Sequence, residues 1–213
     1  MNQAIIFDWG GIVESHENNL EEFNNAKIRL VKRFHSQLSD DEILKRWTYD
    51  TRDGVSFGTI QEEEKIKEWV TFLQERMGIK VPFSEFQKGY EEEFSKIKSY
   101  QEVVAFAHSL KGKCQLGILS NLMPLDKKRI HEQYDLSQFD YVYLSFEIGM
   151  LKPDPRVYEY VLNDLGIAPE NILFIDDEEA NIKMAQQYGW QTCQAVGYEL
   201  DKIKEKVASF LKQ

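Results

Sequence analysis

Cysteine is scarce: Cys114 and Cys193 are the only two in 213 residues. Each sits beside an apolar run and they do not form a Cys-x-x-Cys pair, which excludes a disulfide-stapled secreted scaffold and leaves two buried free thiols as the expectation. No apolar run approaches the roughly 20 residues needed to span a bilayer. The N-terminus has no basic stretch ahead of its short apolar segment, so neither a signal peptide nor an anchor is expected. Cationic clusters are missing as well. Against 36 Asp and Glu stand 26 Lys and Arg, for a formal net charge of -10, and a surface of that sign repels nucleic-acid backbones. Internal repeats and low-complexity tracts are absent too. What remains is a cytoplasmic globular protein, monomer or homodimer, without nucleic-acid or membrane partners. Its length suits one large domain, or a domain with a smaller one inserted.

The most informative stretch comes first. Ala4-Ile5-Ile6-Phe7 reads as a buried strand that delivers Asp8 directly into Trp9-Gly10-Gly11. From His16 to about Ser99 the chain is rich in Glu, Lys, Asn and long aliphatics at helical spacing, with no convincing strand. Breaks are expected at Ser39-Asp40-Asp41, an N-cap cluster before Glu42, at Asp50 to Gly58, and at Gly78 to Pro82. From Gln101 the rhythm alternates. Strands are predicted at Gln115–Leu119, Tyr141–Leu144, Ile172–Ile175 and Gln191–Val196, and helices at Gln101–Leu110, Pro155–Leu165, Glu178–Tyr188 and Leu200–Leu211. Alternation of this kind implies an α/β fold, a Rossmann-like, mostly parallel sheet with helices on both faces. The helical stretch after the first strand is most simply an inserted α-helical domain beside the C-terminal strand ends. The expected division is 1–15 and 97–213 for the core and 16–96 for the insert.

Each core strand ends in polar residues: Asp8, then Ser120-Asn121, then Gly149-Met150-Leu151-Lys152-Pro153, then Asp176-Asp177. Parallel strands bring their C-terminal ends to one edge, so these groups should converge. Three crowded carboxylates suit a Mg²⁺ ion. Lys152, Ser120 and the Asn121 backbone N–H are donors for phosphoryl oxygens, and an Asp beside them can attack phosphorus. Read one at a time, Ser120-Asn121 could cap a helix after Pro124, Lys152 could be a surface lysine on a turn, and Asp176-Asp177 could cap the helix from Glu178.

Asp8-Trp9-Gly10-Gly11-Ile12-Val13, Leu119-Ser120-Asn121, Gly149 to Tyr158 and Phe174 to Ile182 resemble the four ordered motifs of the haloacid dehalogenase-like hydrolases. Within that superfamily the chain is similar to C1-capped bacterial sugar-phosphate phosphatases of the α-D-glucose-1-phosphate phosphatase type. The resemblance implies Asp8 as nucleophile and Mg²⁺ ligand, Gly10 as a backbone-carbonyl ligand and Asp177 as the second carboxylate ligand, with Asp176 in support. It also implies Ser120, Asn121 and Lys152 around the phosphoryl group of a small phosphorylated substrate.

One departure matters. Most phosphatases of the superfamily carry a second Asp where this chain has Gly10, and that side chain serves as general acid and base; Glu14 or His16 could substitute. Dehalogenases also lack it but need no metal, which the Asp176-Asp177 pair argues against. Phosphonoacetaldehyde hydrolases pair Trp with a small residue there and use a cap lysine as a Schiff base; Lys27, Lys32 and Lys45 are available. A weakly catalytic binding module is the remaining alternative. Substrate choice is assigned to the loop from Tyr49 to Gly58, with Arg52 meeting an anion or hydroxyl and Tyr49 or Phe57 stacking on a sugar face. Trp47 is expected in the core of the cap.

Overall fold

A computed structural model describes residues 2–14, 19–47 and 57–213. Five parallel strands form one sheet: β1 (Ala4–Phe7), β2 (Gln115–Ser120), β3 (Tyr141–Leu144), β4 (Ile172–Asp176) and β5 (Gln191–Gln194), in the spatial order β3-β2-β1-β4-β5. The chain runs outward from β1 on one side through β2 and β3, then crosses back to β4 and β5 on the other. The order reverses at β1, and an open α/β sheet has its crevice at such a point, outside the carboxyl ends of the strands.

The apolar run of β1 has a direct cause. Ile5 and Phe7 pack on one face, with Leu173, Ile175 and residues of α5 (Gln101–Ser109) and α10 (Leu200–Phe210). Ala4 and Ile6 pack on the other, with Phe174 and residues of α8 (Pro155–Leu165) and α9 (Glu179–Gln187). With both faces covered, all four side chains are fully buried. Both cysteines are buried free thiols, as expected.

Two predicted strands run one residue longer than expected, because pairing continues into a polar residue: Ser120 pairs with Leu144, and Asp176 with Gln194. The last strand is shorter and stops at Gln194. Glu178 has extended backbone and precedes α9 rather than belonging to it. A short helix absent from the prediction, α7 (Ser145–Ile148), follows β3 directly. The helix expected after Pro124 is α6 (Asp126–Gln133).

Between β1 and α5 lie α1 (Asn19–Arg33), α2 (Asp40–Arg46), α3 (Glu63–Met77) and α4 (Phe83–Phe94), with one 3-10 turn at Phe57–Thr59 and, among the described residues, no strand. Two of the three expected breaks fall where the sequence puts them, while most of the third, Asp50 to Gly58, lies outside the described residues. Ser39 caps α2 in a reciprocal capping box with Glu42, and Gly78, in the left-handed region, ends α3. The four helices close on a cluster of their own, including Leu30, Trp47, Trp69, Leu73, Phe86 and Phe94. Trp47 stacks on Phe94 at 6.3 Å, as expected of a core residue. Met123 and Leu125, which follow β2, join this cluster and so seat the helices against the strand ends. The chain leaves and re-enters the sheet at one place, where Glu14 bridges Ser99 and the Tyr100 N–H donates to the Val13 carbonyl at 2.8 Å. Among the described residues no helix is long and apolar enough to cross a membrane.

Candidate active site

The strand ends converge. Lys152 Nζ lies 2.9 Å from Asp8 Oδ1 and 2.6 Å from Asp176 Oδ2, with all three side chains at most 9% exposed. Carboxylate oxygens of Asp8, Asp176 and Asp177 all lie within 4.8 Å of one another. A cavity of about 310 Å³ opens here, lined by Asp8, Gly10, Ser120, Asn121, Lys152 and Asp177 on the sheet side.

The duller readings of these residues fail on geometry. Helix α6 is preceded by Leu125 with no side-chain cap, so Ser120-Asn121 does not cap it. Instead the Asn121 amide clamps the backbone of Lys152: its Nδ2 donates to the Lys152 carbonyl and its Oδ1 accepts from the Lys152 N–H, both at 2.8 Å. Lys152 is no surface lysine, since its ammonium is buried and lies over the Phe174 ring, 5.3 Å from the centroid. Asp176 does not cap α9 either. Its Oδ1 accepts from the Glu178 N–H at 2.8 Å, and both its oxygens accept from Asn181 Nδ2, at 3.0 and 3.1 Å.

The two neighbouring acids therefore differ. Asp176 is fully buried with both oxygens engaged, while Asp177 is partly exposed and reaches the cavity. Asp177 rests against Gly11: a Cβ built at Gly11, whose φ is +80°, would lie 2.4 Å from Asp177 Cγ. Only glycine allows both that backbone and that approach.

The charges are strongly coupled. Burial pushes the Asp8 carboxyl up to about 8; Lys152 pulls it down, and Asp176 and Asp177 add to the rise. Burial and the neighbouring Asp176 push Asp177 up to about 6. Burial disfavours the Lys152 ammonium, but Asp8 and Asp176 outweigh it and hold Lys152 above the usual lysine range. Both contacts that Asp8 makes, from Lys152 and from the Trp9 N–H at 2.6 Å, fall on Oδ1.

The family model for haloacid dehalogenase-like hydrolases matches residues 5–195. The chain belongs to this family. Among curated relatives of the hydrolase, the phosphorylated carbohydrates phosphatase of Thermotoga maritima is 26% identical over 207 residues, 95% of this chain and 88% of that protein. The D-ribitol-5-phosphate phosphatase of Bacteroides thetaiotaomicron is 34% identical over 55 residues, 26% of this chain and 27% of that one. A match to rat bifunctional epoxide hydrolase 2, 40% identical over 70 residues, takes in 32% of this chain and only 13% of that much longer protein. Among solved structures, a haloacid dehalogenase family enzyme of B. thetaiotaomicron, in complex with magnesium and inorganic phosphate, superposes with a TM-score of 0.67 at 23% identity, over 91% of this chain and 93% of that one.

Of the two expected substitutes for the missing acid, Glu14 is engaged elsewhere. Glu14 is fully buried and bound to Arg129, through a short contact to Nη1 and a second at 3.3 Å to Nη2, and it accepts from the Tyr134 hydroxyl at 2.9 Å. His16 lies outside the described residues, as do Tyr49, Arg52 and the side chain of Phe57. The three lysines that the sequence leaves equivalent are separated. Lys32 is exposed and bonds the Leu38 carbonyl, Lys45 is exposed, and Lys27 is buried and lines the cavity.

Sequence reasoning missed three further features. Asn181 holds Asp176 from the first turn of α9, and its four-residue spacing from Asp177 was a usable signal. The Arg129 network was invisible, because Glu14 and Arg129 stand 115 residues apart. Phe23 and Tyr90, which join Lys27 on the cavity wall contributed by the helical insert, gave only core-like signals.

Proposed function

We propose that this hydrolase is a Mg²⁺-dependent phosphatase of a small phosphorylated metabolite, a phosphorylated carbohydrate, acting through an aspartyl-phosphate on Asp8. The observation that carries this is the buried Asp8–Lys152–Asp176 arrangement, with Asp177 facing the same cavity. The donor set fits the ion. Asp8 and Asp177 offer oxygens, with the Gly10 carbonyl as a third donor, whereas Asp176 is already committed to Lys152 and Asn181. A bound Mg²⁺ supplies charge neutralisation between anionic nucleophile and anionic substrate and orients the phosphoryl group.

The chain's own residues do the rest. Lys152 and the Trp9 N–H hold Oδ1 of Asp8, which leaves Oδ2 to attack phosphorus as the ester P–O bond breaks. Lys152, the Ser120 hydroxyl and the Asn121 backbone N–H stabilise the phosphoryl oxygens. Water then attacks phosphorus, releasing inorganic phosphate and restoring the carboxylate. Gly10 offers no proton to the departing oxygen, so good leaving groups are favoured. The helices between 16 and 96 act as a cap that closes the cavity over a core of 1–15 and 97–213.

The test is hydrolysis of a panel of phosphate monoesters. Wild type should turn over with Mg²⁺ and stop with EDTA, and Asp8→Asn should fall to background. Activity retained in Asp8→Asn, or no hydrolysis of any ester by wild type, would sink the proposal in favour of a binding module.

One observation favours a second reading, a phosphonoacetaldehyde-hydrolase-like enzyme. Lys27 lines the cavity, and burial holds it below the usual lysine range, which suits imine formation. None of the relatives described above is named for carbon–phosphorus cleavage. Borohydride trapping of phosphonoacetaldehyde on Lys27 would establish it.

A further inference from the structure

The segment that follows β2, Asn121 to Met123, lines the cavity together with Ser120 and Asp126. It carries the backbone N–H proposed above for a phosphoryl oxygen, yet it belongs to no helix or strand, so side chains set its position. Three of them do. The Asn121 amide is clamped on the Lys152 backbone. The Ser145 hydroxyl accepts from the Leu122 N–H and donates to the Leu122 carbonyl, both at 3.0 Å. Asp126 Oδ2 accepts from the Met123 N–H at 3.1 Å. This third anchor is itself held. Asp126 Oδ1 accepts from Arg129 Nε at 3.2 Å, from Arg129 Nη2 at 3.0 Å and from the Tyr90 hydroxyl at 3.1 Å. The rest of the guanidinium fork goes to Glu14, where the chain leaves the sheet. Asp126, Arg129 and Glu14 are all buried. A buried ion cluster gains little net stability over apolar packing of the same shape, but it fixes direction, which non-directional apolar contact does not.

Resting on the phosphatase reading above, we infer that Asp126 is a positioning residue, with Arg129 acting through it: the pair holds the Asn121–Met123 segment so that the Asn121 N–H meets the phosphoryl group during transfer. The same guanidinium cancels a carboxylate charge that would otherwise face an anionic substrate. Charge on the phosphoryl oxygens is what such a donor stabilises in flight, and a donor moved out of place costs roughly 10- to 100-fold in rate.

The test is Asp126→Asn, assayed with p-nitrophenyl phosphate at saturating Mg²⁺. An amide of the same size has one acceptor oxygen, so it can serve Met123 or Arg129 but not both. The expected result is a fall in kcat of about 10- to 100-fold with KM nearly unchanged. The inhibition constant of orthovanadate, a mimic of five-coordinate phosphorus, should rise in proportion. That of inorganic phosphate, and the Mg²⁺ concentration for half-maximal activity, should stay near wild type. Arg129→Lys keeps the buried charges but offers a compact ammonium in place of a fork that meets two acids. It should show a smaller loss of the same pattern, and it decides alone if Asp126→Asn does not fold. Three results would overturn the inference: kcat within about threefold of wild type in the folded variant, a loss through KM alone, or a vanadate constant that does not follow kcat. Failure of the phosphatase reading itself looks different, since then wild type hydrolyses no ester in an Asp8-dependent way.

Discussion

Gly10 is the position where this active site departs from the commoner arrangement, and it can be refilled. A Cβ built there meets no heavy atom within 4 Å, and its backbone lies outside the left-handed region, so Gly10→Asp is free of steric conflict. Its carboxyl would enter the cavity already lined by Asp8, Asp177 and Glu178. Burial and like charges both raise a carboxyl's pKa, as they do for Asp177, pushed up to about 6. An introduced group raised in the same way would keep a protonated fraction near neutral pH, the state a general acid needs. A positioned acid contributes about 10²- to 10⁴-fold, with the full effect only where the leaving group is a poor one. Crowding four acids around one ion site offsets part of this by weakening the arrangement of the others, so the lower end, about 10²-fold, is expected for a primary alkoxide such as that of sorbitol 6-phosphate. For p-nitrophenyl phosphate, whose phenolate leaves unaided, little gain is expected. The assay is kcat/KM for both esters in wild type and Gly10→Asp at saturating Mg²⁺. An equal change for the two, or a larger gain for the nitrophenyl ester, would refute the account of Gly10 as a missing acid.

Two further outcomes follow from buried contacts. Arg129→Met leaves Glu14 and Asp126 buried without their cation, and should cost about 3–5 kcal/mol of unfolding free energy in urea titration; the double variant with Glu14→Gln should recover part of that, and a loss below about 1 kcal/mol would contradict the network's importance. Gly11→Ala puts a methyl 2.4 Å from Asp177 Cγ on a backbone with φ of +80°; it should raise the Mg²⁺ concentration for half-maximal activity by at least about tenfold as Asp177 is displaced, and an unchanged Mg²⁺ requirement would remove Asp177 from the ion site.

The parts of the fold legible in the sequence are those where local pattern and burial agree. Ala4–Phe7 and Tyr141–Leu144 begin and end as read: β1 is buried on both faces and apolar throughout, and each run ends at the polar residue that follows it, Asp8 or Ser145. The boundaries that slipped did so at Ser120, Asp176 and Glu178, where polarity signals a loop. At the first two, pairing with Leu144 and Gln194 keeps the chain in the sheet; at the third, extended backbone delays the helix by one residue. The candidate site was legible as a set, because parallel strands must bring their ends to one edge. The division of labour within it came only through the family resemblance, which named Asp177 as a ligand and Asp176 as its support. Asp176 and Asp177 are indistinguishable as letters, and only the pairing of β4 and the placement of Asn181 and Gly11 show which is buried and which faces the cavity. Lys27 could not be told from Lys32 and Lys45 for a related reason: helical periodicity tells which face is apolar, not that a cavity lies under one turn of it.

The two sides of the cavity are held by different means, and that bears on how substrate choice can change. Asp8 follows directly on β1, Ser120 and Asp176 lie within paired strands, and Lys152 is clamped through Asn121. These positions are fixed by sheet register, and moving one means moving a strand packed on both faces. Phe23, Lys27 and Tyr90 stand on helices with a separate core, joined to the sheet through Met123, Leu125 and the Tyr90–Asp126 hydrogen bond. A substitution on that wall leaves the strand pairing untouched, so selectivity can change there while the groups proposed for phosphoryl transfer keep their geometry.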